Sequence, residues 1–160
     1  MIRAVAIGLG ATLLIDLWAL LLRRVLGVRS LDYCLLGRWV LHMPAGTFAH
    51  ESIVAASKKS HECAVGWTTH YSIGAVFGVV FVSLATETWL ARPSLWPALA
   101  FGIVTVLVPF LTLQPALGLG VASSKTPHPA GARVKSLMTH AIFGVGLYIA
   151  GKFAVFLFAP

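Results

Sequence analysis

Residues 65–86 read VGWTTHYSIGAVFGVVFVSLAT and contain no Asp, Glu, Lys or Arg. About 20 apolar residues, wound as a helix rising about 1.5 Å per residue, cross the roughly 30 Å hydrocarbon core of a bilayer. Working outward, three more stretches of this kind appear: 2–22, interrupted by Arg3 and Asp16, then 95–121 and 136–158. Hydrophobic residues make up 58% of the chain and charged residues 11%, with a mean hydropathy of +0.88. A soluble domain is about a quarter charged, so lipid must replace water over much of this surface. The expected fold is all-α: an integral membrane four-helix bundle forming a single transmembrane domain over 1–160. A cleavable signal peptide fits the first stretch poorly, because Asp16 breaks the apolar region, Arg23 and Arg24 follow it, and no small-x-small cleavage site is evident.

The net charge is +7. In a soluble protein that would suggest nucleic acid, but the distribution has a simpler cause. Arg23, Arg24, Arg29, Arg38, Lys58 and Lys59 lie between spans one and two, and Lys125, Arg133 and Lys135 between spans three and four. Arg3, Arg92 and Lys152 fall on the other side. The positive-inside rule then places the richer side in the cytoplasm and both termini in the periplasm. The expected partner is the lipid bilayer, not nucleic acid. Trp67 with Tyr71 suits an inner aromatic belt, and Trp89 with Trp96 an outer one. Under this topology Cys34 and Cys63 face the cytoplasm and are expected as reduced thiols.

The first inner loop is rich in large apolar residues. Leu31, Leu35 and Trp39 recur at helical spacing, Pro44 should stop that helix, and Thr47 could cap a second. One or two short interfacial helices are therefore expected within 30–57. The segment SSKTPHPAGAR reads as a surface turn, with His128 exposed. Pro109 and Pro115 should bend span three near its cytoplasmic half. Thr69-His70-x-x-x-Gly74 and Thr139-His140-x-x-x-Gly144 match, suggesting two parallel hairpins, although spans one and three offer no clear partner match. Gly74-x-x-x-Gly78 is a helix-packing motif whose partner is another span or a second copy in a homo-oligomer.

The candidate site lies in the polar residues inside the spans: Asp16, His70, Gln114 and His140. All fall on the order of 8–14 Å inside the inner boundary. A charged group there costs at least about 2.5–3.5 kcal/mol, so such groups are expected to face inward. Several readings stay open. The four form a hydrogen-bonded cluster that fixes helix register. Alternatively His70, His140 and Asp16, with His42 and His50 from the inner loop and Glu51 beside them, hold a transition metal. They could instead bind or pass a small ligand, ion or proton, or His70 and His140 could ligate a haem. His61-Glu62-Cys63 lacks the second pair a metal motif needs. GLGAT in span one has no preceding strand, which rules out a nucleotide fingerprint. No activated Ser or Cys nucleophile and no carboxylate pair at catalytic spacing is evident, so an enzyme ranks below a binding, transport or scaffold protein.

A longer series of residues carries a resemblance. It runs Gly37-Arg38-Trp39, His42-Met43, Gly46, Phe48, His50, Ile53, Glu62, Gly66-Trp67, His70-Tyr71 and Ile73-Gly74. It continues with Gln114-Pro115-Ala116, Gly118, Gly120, Pro127, Ser136-Leu137, His140, Phe143-Gly144 and Gly146-Leu147-Tyr148. The chain resembles the bacterial membrane family known as domain of unknown function 2938 over nearly its whole length, with Glu51 standing where an aspartate is expected. The resemblance implies a bacterial inner-membrane protein of about four spans and carries no activity with it.

Overall fold

The computed structural model describes residues 1–28, 30–85 and 87–157, and the side chain of Glu87 is not among what it describes. Arg29 of the inner loop, Thr86 at the end of span two, and Phe158 to Pro160 at the end of span four lie outside the described residues. The described residues form helices and turns with no strand. In order these are α1 (Ile2–Leu26), α2 (Tyr33–His42), α3 (Glu62–Leu84), α4 (Glu87–Ala91), α5 (Leu95–Val104), α6 (Gln114–Ala116) and α7 (Pro129–Leu157). Four segments are long and apolar enough to cross a membrane: Ile2–Leu26, Glu62–Leu84, Leu95–Ala116 and Pro129–Leu157.

Local chemistry explains where these segments end. α1 closes on Gly27, whose φ of 66° lets its amide reach Leu22 O, with Arg23 and Arg24 in the last turn where the helix dipole favours cations. α2 is capped by Asp32, whose carboxylate accepts the Cys34 amide at 2.9 Å. It stops at Pro44, as its sequence implies, in a tight turn over Met43–Ala45. The second loop helix expected after Thr47 does not form. Residues 50–53 bond elsewhere instead: His50 N donates to Ala116 O at 2.9 Å and Ile53 N to Leu117 O at 3.1 Å.

Span three is bent where its prolines predict. α5 stops at Val104, and a wide π turn spans Pro109–Leu113 because Pro109 and Pro115 donate no amide to the helical ladder. The helix ends at Ala116, short of the expected Val121, since Gly118 (φ 86°) and Gly120 (φ 74°) turn the chain out of it. α7 begins at Pro129, earlier than expected, because proline with its fixed φ suits the first turn of a helix.

The chain divides into two compact units: Met1–Ser30 with Tyr71–Val104 and Met138–Pro160, and Leu31–His70 with Thr105–Leu137. In the first, helices cross through small residues. A side-chain carbon at Gly78 would lie 2.6 Å from Ala4 O and Gly8 Cα, and one at Gly74 would collide with the Thr12 hydroxyl. One at Gly144 would lie 2.7 Å from Ala98 O, and one at Gly146 2.7 Å from Ala11 Cα. The face carrying Gly74 and Gly78 is thus filled by α1 of the same chain. Of the two partners the motif allows, another span of the same chain is the one seen at these glycines.

Around these crossings Ile7, Ala11, Phe81, Trp89, Ala98, Phe143, Leu147 and Ala154 form the apolar core. Trp89 is 5% exposed, stands edge-on to Phe81 and donates Nε1–H to Ser94 O at 2.9 Å. It is a core residue, not the rim residue expected, because its ring packs on Phe81 and its N–H is satisfied by Ser94 O. Trp96, at 76% exposure, is open.

Candidate functional site

Within the first unit, Asp16 of α1 is held by α3. Tyr71 Oη donates to Asp16 Oδ2 at 2.8 Å. In a low-dielectric surrounding such a charge-assisted bond offsets part of the cost of an intramembrane carboxylate. One helical turn earlier, Thr12 donates to Gly8 O at 2.9 Å, so its hydroxyl is satisfied by its own helix. His140 of α7 bonds the backbone of Gly102 of α5. Both T-H-x-x-x-G glycines serve as crossing points, Gly74 against α1 and Gly144 against α5. Their partners lie on matching stripes, Ala4-x-x-x-Gly8 and Ala98-x-x-x-Gly102. Small-x-x-x-small spacing lets two helix backbones approach closely.

Within the second unit, α2 lies on the first turns of α3 with backbone against backbone. A side-chain carbon on Gly37 would overlap Glu62 O, and one on Gly66 would overlap Tyr33 O. This approach brings Cys34 and Cys63 to a Cα separation of 3.9 Å, and they form a disulfide. The expectation of two reduced thiols is corrected. It rested on which side of the membrane the loop occupies, while the bond follows from a helix crossing that charge counting does not reveal.

Beside the disulfide, Arg38 makes a bidentate ion pair with Glu62, Nε to Oε2 and Nη2 to Oε1, each at 2.8 Å. Its Nη1 also donates to Ile53 O at 3.1 Å and to Val54 O and Ala56 O at 3.3 Å. Arg38 was counted as a topology charge, yet it is 5% exposed. The signal available was its position inside the apolar run L-L-G-R-W-V, since a buried arginine needs a partner. His70 stacks on Tyr33 with centroids 4.0 Å apart, and Trp67 meets Tyr33 edge-on at 4.7 Å.

Gln114 locks the irregular stretch that follows it. Ser123 Oγ donates to Gln114 Oε1 at 3.0 Å, Gln114 Nε2 donates to Ser136 Oγ at 3.3 Å, and Arg133 Nε donates to Ala122 O at 2.8 Å. Ala122 (φ 48°) and Ser123 (φ 59°) sit in the left-handed region, which side-chain-bearing residues hold only when their surroundings enforce it. His128 is exposed, as expected.

Among the described residues no group of three or more His, Cys, Asp or Glu could hold a metal ion. His42 and His50 meet edge-on at 5.0 Å, and His42 Nε2 is bonded to Ser57 O at 3.0 Å. His70 is stacked on Tyr33, and Asp16 takes the Tyr71 hydroxyl.

A family model described as a protein of unknown function (DUF2938) matches residues 5–154. The chain belongs to that family. Comparison with curated proteins and with solved structures found no match. Among the resemblance residues of this family member, Gly37, Arg38, Glu62 and Gly66 build the α2–α3 junction, and Gln114 and Gly118 lie where span three ends.

His50 supplies a pH-dependent term. Its Nε2 is buried without a hydrogen-bond partner, and burial, aided by the neighbouring His42, pushes its pKa below the ordinary 6.5. The folded chain therefore holds His50 neutral where the unfolded chain takes up a proton. Stability from this residue is complete above about pH 6.5 and is lost as pH falls from there toward the folded value. Thermal melts in detergent should show a lower midpoint at pH 5.5 than at pH 7.5, and His50→Gln should shrink the difference. An unchanged difference in that variant would assign the pH dependence to another group.

Proposed function

We propose that the chain is a multi-pass protein of the bacterial inner membrane, with both ends periplasmic, that binds or passes a small ligand, ion or proton at intramembrane polar groups. The carrying observation is the Asp16–Tyr71 pair: a carboxylate inside an apolar span, held at 2.8 Å by a hydroxyl that can itself relay a proton. His70 is adjacent to Tyr71 in sequence, and counting residues from the span ends gives His140 and Gln114 similar expected depths in their own spans. The nine-to-three division of Lys and Arg supports the orientation.

The alternative is a membrane scaffold whose polar groups only fix packing. The Gln114 cluster favours it locally, because Ser123 and Ser136 engage both ends of that amide. The two readings differ in transport and not in placement. In vesicles carrying a pH-sensitive dye, wild-type protein should dissipate an imposed proton gradient faster than empty vesicles. Asp16→Asn should cut that excess rate by about tenfold or more, the scale on which a positioned proton-transfer group acts. No excess flux in the wild type across a set of small cations, with Asp16→Asn changing only the melting temperature, would leave the scaffold reading standing.

A further inference from the structure

The Cys34–Cys63 disulfide is unlike a structural staple in three respects. First, Cys63 is exposed and Cys34 half-buried, so Cys63 is the more accessible half of the bond. Second, the junction it spans has other ties. α2 is already held on α3 by the bidentate Arg38–Glu62 pair, by the backbone contact at Gly37 and Gly66, and by the Tyr33, Trp67 and His70 rings. Third, each cysteine is the second residue of its helix, α2 opening at Tyr33 and α3 at Glu62. Unsatisfied amides and the positive end of the helix dipole favour the thiolate that departs when a disulfide opens. Lys58 and Lys59 precede Cys63, and the Glu62 carboxylate that would oppose a thiolate is neutralised by Arg38. Asp32, which caps the Cys34 amide, is the one acid set against it.

Compartment adds a fourth argument, which rests on the orientation proposed above. The cation-rich loop faces the cytoplasm, where thiols are kept reduced and the disulfides that occur are mostly transient, catalytic or redox-sensing.

We propose that Cys34–Cys63 is a redox-active disulfide that accepts two electrons from a dithiol protein at the cytoplasmic face. The partner's thiolate attacks Sγ of the exposed Cys63. The Cys34–Cys63 bond breaks, a partner–Cys63 mixed disulfide forms, and Cys34 leaves as a thiolate that takes up a proton. The partner's second thiol, once deprotonated, attacks its own sulfur in the mixed disulfide and releases Cys63, which is protonated in turn. The partner ends as a disulfide and this chain as two thiols. The ion pair and the glycine contact keep α2 in place throughout.

Two experiments test this. Purified protein in detergent is equilibrated in dithiothreitol redox buffers without denaturant, and a thioredoxin-class Cys-x-x-Cys protein with its second cysteine changed to serine is offered as a trap. The disulfide should open and reclose reversibly in folded protein, with closely similar melting temperatures in both forms. The trap should be captured on Cys63 at least ten times more than on Cys34, as mapped by proteolysis. A disulfide that opens only on denaturation, or capture on neither sulfur or equally on both, overturns the proposal. In cells, acid quenching and maleimide alkylation should find both forms and a shift between them within minutes of adding diamide or dithiothreitol; a fixed state would overturn it.

Orientation is tested separately. Ser60→Cys in a Cys34→Ser/Cys63→Ser background should resist membrane-impermeant maleimide in intact cells. Labelling from outside would sink the orientation and the cytoplasmic partner, whatever the disulfide does in detergent.

Discussion

Gly66→Ala should prevent α2 from docking on α3. The added methyl would overlap the Tyr33 carbonyl oxygen and lie 2.6 Å from its carbon and 3.0 Å from the Gly37 nitrogen. All three are backbone atoms inside or bounding helices, so no flexible side chain can yield. Ordinary overpacking of a core costs about 1–3 kcal/mol because side chains shift. Here two helices must separate, which exceeds that range and pulls Cys34 away from Cys63. We expect loss of the cooperative melt in detergent and free thiols in unreduced protein. Gly131→Ala is the control. Gly131 lies in the first turn of α7 with nothing within 4 Å, so alanine should be neutral or stabilising by up to about 1 kcal/mol. If Gly66→Ala melted like Gly131→Ala, the α2–α3 crossing described above would be wrong.

Arg38→Ala should have the next largest effect. Removing one partner of a hydrogen-bonded ion pair is destabilising, because the remaining charge is stranded. Here the carbonyls of Ile53, Val54 and Ala56 lose their donor as well. Residues 53–56 would then be tethered to the unit mainly through Ile53 N on Leu117 O. We expect a large drop in melting temperature and faster proteolysis near Ser57. Arg38→Lys should recover little, since a point ammonium cannot serve two carboxylate oxygens and three carbonyls as a planar guanidinium does. Arg23→Ala, which alters an exposed cation at the end of α1, should leave the melt unchanged. A mild Arg38→Ala phenotype would mean that the ion pair repays little of its desolvation.

Much of the architecture was legible from residues taken a few at a time. The four apolar runs, the bend of span three at Pro109 and Pro115, the stop of α2 at Pro44 and the exposure of His128 all follow from local chemistry. Hydropathy is a property of a short window, and proline and glycine act on their own turn. Two element ends differ from expectation for local reasons as well, Pro129 opening α7 and Gly118 closing span three.

What the tertiary structure decided is which residues meet. Arg38 finds Glu62 and Tyr71 finds Asp16 at sequence separations of 24 and 55, and Cys34 bonds Cys63 across 29 residues. None of these pairs has a local signature, because each depends on where two helices cross. The crossings are set by glycines whose importance lies in what a missing side chain allows. By itself the sequence determined the solvent of each segment, since transfer between water and lipid adds up residue by residue. Partnership is not additive in that way: a polar group inside a span is stable only against a specific neighbour, and that neighbour is chosen by the backbone approach at Gly8 and Gly74 and at Gly37 and Gly66.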